Sequence, residues 1–213
     1  MMRYEAVVEV WTREAILYVP ALPGFQVNAR SADDALRQSP PRLLAFLEWL
    51  GDLELIPTPT DGPDLEVVQT LRAEGDSGPL FTLDERTPDE EQVELALAVG
   101  RGEVSDIVEV VSDLGSTGMA EAARVLGHLA ELDLWYASRL QVDTVPTAAV
   151  ADPVETLIAT ASDVEEAVDR RVELGPGGLW EIDGERWSLA KMLRRRTGHL
   201  REHLPELIVI DQA

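Results

Sequence analysis

The chain contains three histidines and no cysteine, so side chains suited to metal chemistry are few. His199 and His203 are four residues apart in a segment with helical periodicity, so both project from one face of the predicted helix. His128 lies in a second helical segment, on the face that carries Val125 and Leu132. Two imidazoles at i and i+4, with a third from a facing helix, make a three-ligand metal site with a coordination position left for water or substrate.

The nature of the metal and the role of the histidines stay open at this point. Three neutral imidazole nitrogens suit Zn, Ni, Fe or Mn, and the spacing does not choose among these metals. A lone H-x-x-x-H is common on helices, and His128 by itself is also typical of a hydrogen-bonded residue in or beside a core. The absence of cysteine excludes thiolate metal sites and a cysteine nucleophile, so any reacting thiol must come from outside the chain.

The helix that carries the histidine pair offers two further candidates. Arg196 lies on the histidine side of the helical wheel, so we predict that it orients an anionic substrate. Arg194 and Arg195 are expected either on a solvated face or as partners of acidic residues. The stretch HLREH also reads H-x-x-E-H, an inverted zinc-protease motif in which Glu202 would act as general base. That class needs a distant acidic ligand downstream, which the short remaining sequence disfavours.

The elements that must position these residues begin with a region rich in strand signals. Alternating, β-branched patterns predict strands at residues 4–10, 15–18 and 25–29, and a fourth strand at residues 66–71. Between the third and fourth strands, Ser31 is a good N-cap for a helix that ends near Gly51. Pro40 and Pro41 predict a break or kink near the middle of this helix.

After Thr87 the pattern changes to four amphipathic helices, for which a bundle is the default architecture. Asp183 and Gly184 predict a tight turn between two short extended pieces before the last helix. The predicted fold is therefore α+β: a small β-β-β-α-β domain at residues 1–73, a linker at residues 74–87, and an up-down four-helix bundle at residues 88–213.

The net charge of −22 disfavours several classes of partner, although Arg194, Arg195 and Arg196 form a small local basic patch. Such a field repels the nucleic-acid backbone and anionic membranes, because binding to either relies on lysine and arginine. No apolar stretch is long enough to span a bilayer, and the first residues lack a basic segment followed by an apolar one. We therefore expect a cytoplasmic protein that binds neither membranes nor nucleic acid, with a homodimer as the default assembly.

The second half of the chain resembles the DinB-like (YfiT-like) superfamily of four-helix bundles. The resemblance covers residues 89–207 and rests on the segments GHLAELDLWYASRL and DGERWSLAKMLRRRTGHLREHLPELI. In that family a histidine of the second helix and an H-x-x-x-H pair of the last helix bind a divalent metal, and these positions match His128, His199 and His203. Characterised relatives include metal-dependent transferases and isomerases that use low-molecular-weight thiols such as mycothiol or bacillithiol.

The first half is similar to HicB-like domains, through the segment AILYVPALPGFQVNARSADDALRQSPPRLLAFLEWL. Two positions depart from that family: Phe25 stands where cysteine is frequent, and Pro40-Pro41 interrupts the usual helix. The relatives act as antitoxins, usually with a DNA-binding segment after this domain, so the resemblance implies a toxin-like protein partner. In this chain a helical region follows and the charge is acidic, which favours a dimerising, structural or ligand-sensing role.

Together these features predict a metal- and thiol-dependent transferase acting on a small-molecule substrate, or less favourably a hydrolase. In this hypothesis the metal lowers the pKa of a thiol or water so that its anion is the nucleophile. The alternative is a non-enzymatic binding or scaffold protein, in which the HicB-like half recognises a partner or forms the dimer.

Overall fold

The computed structural model describes residues 3–57, 62–73, 78–143 and 151–211, and these form an α+β fold. Four strands and one helix come first: β1 (Arg3–Val10), β2 (Ala15–Tyr18), β3 (Gln26–Ala29), α1 (Ala32–Asp52) and β4 (Asp64–Arg72). Four longer helices follow, with a short hairpin before the last: α2 (Glu90–Ser112), α3 (Ser116–Ser138), α4 (Pro153–Leu174), β5 (Trp180–Ile182), β6 (Glu185–Trp187) and α5 (Leu189–Asp211). This order confirms the predicted α+β class, whereas the up-down four-helix bundle of DinB-like type stays a prediction.

The first four strands form one sheet in the order β3-β2-β1-β4, and β2 is buried on both of its faces. Neighbours pair antiparallel except β4, which lies parallel to β1 at the outer edge. On one face Leu17 and Val27 cluster with the apolar side of α1, and on the other Ile16 and Tyr18 contact Phe81. Because neither face is left to solvent here, a second layer must cover the side opposite α1.

Helix α5 supplies that layer, and it does so largely with charged side chains. Arg195 donates a hydrogen bond of 3.0 Å to the buried carboxylate of Glu9 in β1, and another of 3.0 Å to the Tyr18 hydroxyl. Arg194 donates hydrogen bonds of 3.0 and 2.8 Å to Asp84, and the two side chains are only 4% and 1% exposed. Of the two settings predicted for these arginines, the structure shows buried acidic partners.

Part of the predicted linker lies against the same surface. Phe81 is fully buried, and its backbone N–H donates to the Asp84 carboxylate at 3.0 Å. The ammonium group of Lys191 in α5 donates to the carbonyl oxygen of Gly78 at 2.9 Å. Residues 78–87 therefore pack on α5, while residues 74–77 of the predicted linker lie outside the described residues.

Pro40 and Pro41 do not break α1, which is continuous from Ala32–Asp52, so the predicted break is wrong. A proline lacks the N–H that would bond the carbonyl oxygen four residues before it. Leu36, Arg37 and the two prolines all lie on the exposed side of α1, where solvent can hydrogen-bond the freed carbonyls. The opposite side of α1 keeps its apolar packing against the sheet.

Helix α2 begins at Glu90, two residues after the first residue of the predicted bundle. The reason is a capping box, in which the Asp89 carboxylate accepts from the backbone N–H of Gln92 and the Gln92 side chain accepts from that of Asp89. These reciprocal bonds satisfy two N–H groups that the first turn would otherwise leave unpaired, which fixes the start of the helix.

The four later helices pack against one another, chiefly α2 against α5 and α3 against both α4 and α5. The hairpin of β5 and β6 confirms the predicted tight turn, since Asp183 and Gly184 both adopt positive φ angles of 56° and 80°. Within the described ranges, no helix has the length and apolar content that crossing a membrane requires.

The buried Arg194–Asp84 pair gives a test of this arrangement. We expect Asp84→Asn to lower the free energy of unfolding by about 3–5 kcal/mol, because the neutral amide leaves a buried guanidinium charge unpaired. Urea denaturation measures this loss. The control is Glu66→Gln, which breaks an exposed pair with Arg3 and should cost less than about 1 kcal/mol. Equal losses in the two variants would contradict a structural role for the buried pair.

Candidate metal centre

The three histidines come together in the groove between α3 and α5. One ring nitrogen of each residue can be chosen so that the three atoms lie within 4.8 Å of one another. The ring centroid of His128 lies 6.2 Å from that of His199 and 5.0 Å from that of His203. The two rings of α5 are nearly parallel, with an interplanar angle of 4°. The residues predicted as ligands are therefore close enough to hold one metal ion.

The surrounding apolar side chains explain why the histidines face each other. Val125 and Leu129 of α3 are buried in one cluster with Leu200 and Leu207 of α5, so these residues hold the two helices together. His128 lies next to this contact on α3, and it is exposed to solvent. The helical repeat thus places the apolar residues inside and the imidazoles at the rim of the same interface.

His199 is held by a hydrogen bond to a buried tyrosine. Its Nδ1 atom lies 2.8 Å from the hydroxyl oxygen of Tyr136, which sits two turns after His128 on α3. A partner at Nδ1 fixes the orientation of the ring and leaves Nε2 available as a metal ligand, as in many metal sites with outer-shell hydrogen bonds. The sequence did not signal this role of Tyr136, because the contact joins residues 63 positions apart in the chain.

The electrostatic surroundings keep His199 in the uncharged form that can coordinate a metal. Burial, followed by the charge of Arg195 and by the two neighbouring histidines, lowers the pKa of His199 to about 4. Burial raises the pKa of Tyr136 to about 12, against the opposing effect of Arg195. Near neutral pH the imidazole is therefore uncharged, which is the form that coordinates metals, and the phenol keeps its proton.

His203 lies beside a carboxylate. Its Nδ1 atom is 3.3 Å from Glu206 Oε1, and this nitrogen is buried without a hydrogen-bond partner. Glu202, the general base of the H-x-x-E-H reading, instead accepts a hydrogen bond of 2.9 Å from Asn28 of β3. Its carboxylate therefore contacts the sheet, and it is not a member of the cluster formed by the three histidines.

Arg196, predicted to orient an anionic substrate, lies in the interior and is 2% exposed. Its guanidinium donates hydrogen bonds of 2.8 and 3.1 Å to the two carboxylate oxygens of Asp133 in α3. A β-carbon on Gly100 of α2 would lie 2.6 Å from Arg196 Nη1, so this glycine gives the guanidinium its space. An anionic substrate would have to displace Asp133 from Arg196. The sequence did not signal this role of Asp133, because no local pattern distinguishes it from the other acidic residues, of which the chain has forty.

The lowered pKa of His199 leads to a pH dependence that can be measured. In the unfolded chain a histidine titrates near 6.5, so between about pH 6.5 and 4 the unfolded state binds a proton that the folded state does not. His199 therefore makes its full contribution to the free energy of unfolding above about pH 6.5. This contribution, roughly 3 kcal/mol in total, is lost as the pH falls towards 4.

Side-chain ¹⁵N NMR titration in the presence of a chelator should show His199 still neutral at pH 5. His199→Ala assigns the signal and should flatten the pH dependence of unfolding over the same range. A titration midpoint near 6.5 would contradict the buried, hydrogen-bonded setting described above.

Comparison with known proteins identified no relative of this chain. No protein-family model, no curated protein and no solved structure matches the chain. The DinB-like and HicB-like resemblances therefore rest on short sequence segments alone.

Proposed function

We propose that the chain binds a divalent metal ion through His128, His199 and His203 and uses it in a thiol-dependent transfer reaction. The observation that carries the proposal is the convergence of all three histidines of the chain at one point, with ligand atoms within 4.8 Å of one another. Chance placement of three imidazoles on 213 residues would rarely bring all of them together from two helices.

The donor set fits a divalent ion such as Zn, Ni, Fe or Mn. Imidazole nitrogens are ligands that these ions accept, and the three that could hold the ion lie within 4.8 Å of one another. The Nδ1 atom of His203 makes no hydrogen bond and lies 3.3 Å from Glu206 Oε1, so a carboxylate stands beside this ligand, as is common around metal-binding imidazoles. Three protein ligands leave room for an exogenous one.

The side chains around the centre have separate roles in this proposal. Tyr136 holds the ring of His199, and the exposed edge at His128 admits a small molecule from solvent. A bound divalent ion supplies Lewis acidity, which lowers the pKa of a thiol or water that reaches it. In the transfer the thiol sulfur forms a bond to an electrophilic carbon, the leaving group departs with the bonding electrons, and the thiol proton passes to solvent.

The resemblances support the same assignment and extend it. The DinB-like pattern supports an up-down bundle and a low-molecular-weight thiol as cosubstrate. The HicB-like pattern supports a homodimer or a toxin-like protein partner for the first half, in a cytoplasmic protein. The alternative of a non-enzymatic scaffold is favoured by one observation, namely the buried ion pairs that lock α5 to the sheet.

Metal analysis of protein purified without a histidine tag tests the first step. We expect about one equivalent of divalent metal per chain, lost in His199→Ala, and about 10–100-fold weaker binding in Tyr136→Phe because the ring of His199 loses its support. Tyr18→Phe is the matched control, since it removes a buried hydroxyl that contacts Arg195 but no histidine. Equal and negligible metal in the wild type and His199→Ala would rule out the site.

The reaction itself is tested with metal-loaded protein, a panel of low-molecular-weight thiols and electrophilic acceptors. We expect turnover that requires both metal and thiol and is abolished in His199→Ala, with thioether product followed by mass spectrometry. Full metal occupancy without turnover across the panel would contradict the transferase and favour the scaffold.

A further inference from the structure

Arg201 differs from the other arginines of α5. Arg194, Arg195 and Arg196 each donate hydrogen bonds to a buried carboxylate. The carboxylate nearest to Arg201 is Glu103 of α2, whose Oε1 lies 4.0 Å from Arg201 Nη1, beyond hydrogen-bond distance. Within the described part of the chain, Arg201 makes no hydrogen bond, and its Nη1 is buried and unpaired.

Glu103 does not accept a hydrogen bond from this guanidinium. Its side chain is 1% exposed, and neither of its carboxylate oxygens has a hydrogen-bond partner. Burial raises the pKa of Glu103 well above its usual range, in spite of the opposing charge of Arg201. Asp106, one turn further along α2, also lies near Arg201, but its carboxylate accepts a hydrogen bond of 3.0 Å from Trp49. Within the described residues, neither carboxylate accepts a hydrogen bond from Arg201.

Two aromatic rings hold the guanidinium in place. It lies over Phe46 at 4.8 Å and over Trp49 at 4.4 Å from the ring centroids. The side chain of Arg201 is 29% exposed, and it lines a pocket of about 420 Å³ between β3, α1 and α5. Stacking of this kind orients the planar donor group before any ligand arrives, so little conformational entropy is lost on binding.

The remaining walls of the pocket offer donors and apolar surface. Arg42 lies on the α1 side, the amides of Gln26 and Asn28 lie on the β3 side, and Phe25 adds a second ring. The one acidic residue in the lining, Glu202, already accepts the hydrogen bond from Asn28. The residues that line the pocket include two arginines and one carboxylate, on a chain whose net charge is −22.

We propose that this pocket binds a small molecule that carries a carboxylate or phosphate group on an apolar body. The anionic group pairs with Arg201, and the body lies against Phe25 and Phe46. The site is separate from the metal centre, because it is lined from the sheet and α1 side of α5, whereas His199 and His203 face α3. It therefore goes beyond the proposed function and does not depend on it.

The test is calorimetric titration of the full chain, kept free of metal with a chelator, with three probes of similar size. Phenyl phosphate and phenylacetate carry the two anionic groups, and phenylacetamide is the neutral analogue. We expect at least one anion to bind, with affinity that falls as salt increases, and the preferred anion identifies the phosphate or carboxylate class. Binding of phenylacetamide should be at least about tenfold weaker.

Two variants place the binding at the pocket. Arg201→Gln should weaken the preferred anion about tenfold or more, and Arg42→Gln, an exposed change that leaves the core untouched, should weaken it severalfold. Arg37→Gln is the matched control, because this arginine of α1 is exposed and lies outside the pocket. His199→Ala should bind the anion as the wild type does.

Several outcomes would overturn the proposal. These are no binding of either anion, equal binding of phenylacetamide, or unchanged affinity in both Arg201→Gln and Arg42→Gln. Loss of binding in His199→Ala, with both arginine variants unaffected, would assign the anion to the histidine cluster instead. Because all titrations are made without metal, failure of the metal centre leaves this result unchanged.

Discussion

Burial of charged residues on α5 is the constraint on which the rest of the structure depends. A guanidinium taken out of water without a partner costs several kcal/mol, so each buried arginine must meet an acidic group with good geometry. Glu9 comes from the sheet, Asp84 from the segment before α2, and Asp133 from α3. Three parts of the chain are thereby tied to one helix, and their relative positions are specified more narrowly than apolar packing alone would require.

The same helix positions the cluster formed by the three histidines. His199 and His203 are placed by a helix whose rotation about its axis is set by the ion pairs on its other sides. Tyr136 comes from the helix that also supplies Asp133, so the outer-shell bond to His199 and the buried pair with Arg196 reinforce one alignment of α3 with α5. Imidazole rings held in this way lose little conformational entropy when they bind a ligand.

Two sides of α5 thus present different chemistry. The side facing α3 carries three imidazoles whose ligand atoms lie close together, a donor set that divalent cations accept. The side facing β3 and α1 carries Arg201, which is stacked on aromatic rings and makes no hydrogen bond to the buried Glu103. The two sites share a helix but none of their lining side chains, so each can be lost without the other.

Interactions between residues close together in the sequence determined the strands and helices of this protein. Strand alternation, helix periodicity, capping residues and the Asp183-Gly184 turn depend on neighbours within a few residues, which is why the order of elements and the α+β class follow from them. The helical repeat also placed the three histidines on facing sides. The continuity of α1 through Pro40 and Pro41 did not follow, because it depends on which side of the helix faces solvent.

Tertiary structure alone decided which charges are buried and which acid meets which arginine. The sequence contains forty acidic residues, and nothing local distinguishes Glu9, Asp84 and Asp133 from the others. The tertiary structure also determined that Arg196 pairs with Asp133, whereas Arg201 lines a pocket. These outcomes depend on contacts between residues far apart in the chain, where the cost of desolvation selects one pairing, and that cost exists only once the sheet and the helices have closed around α5.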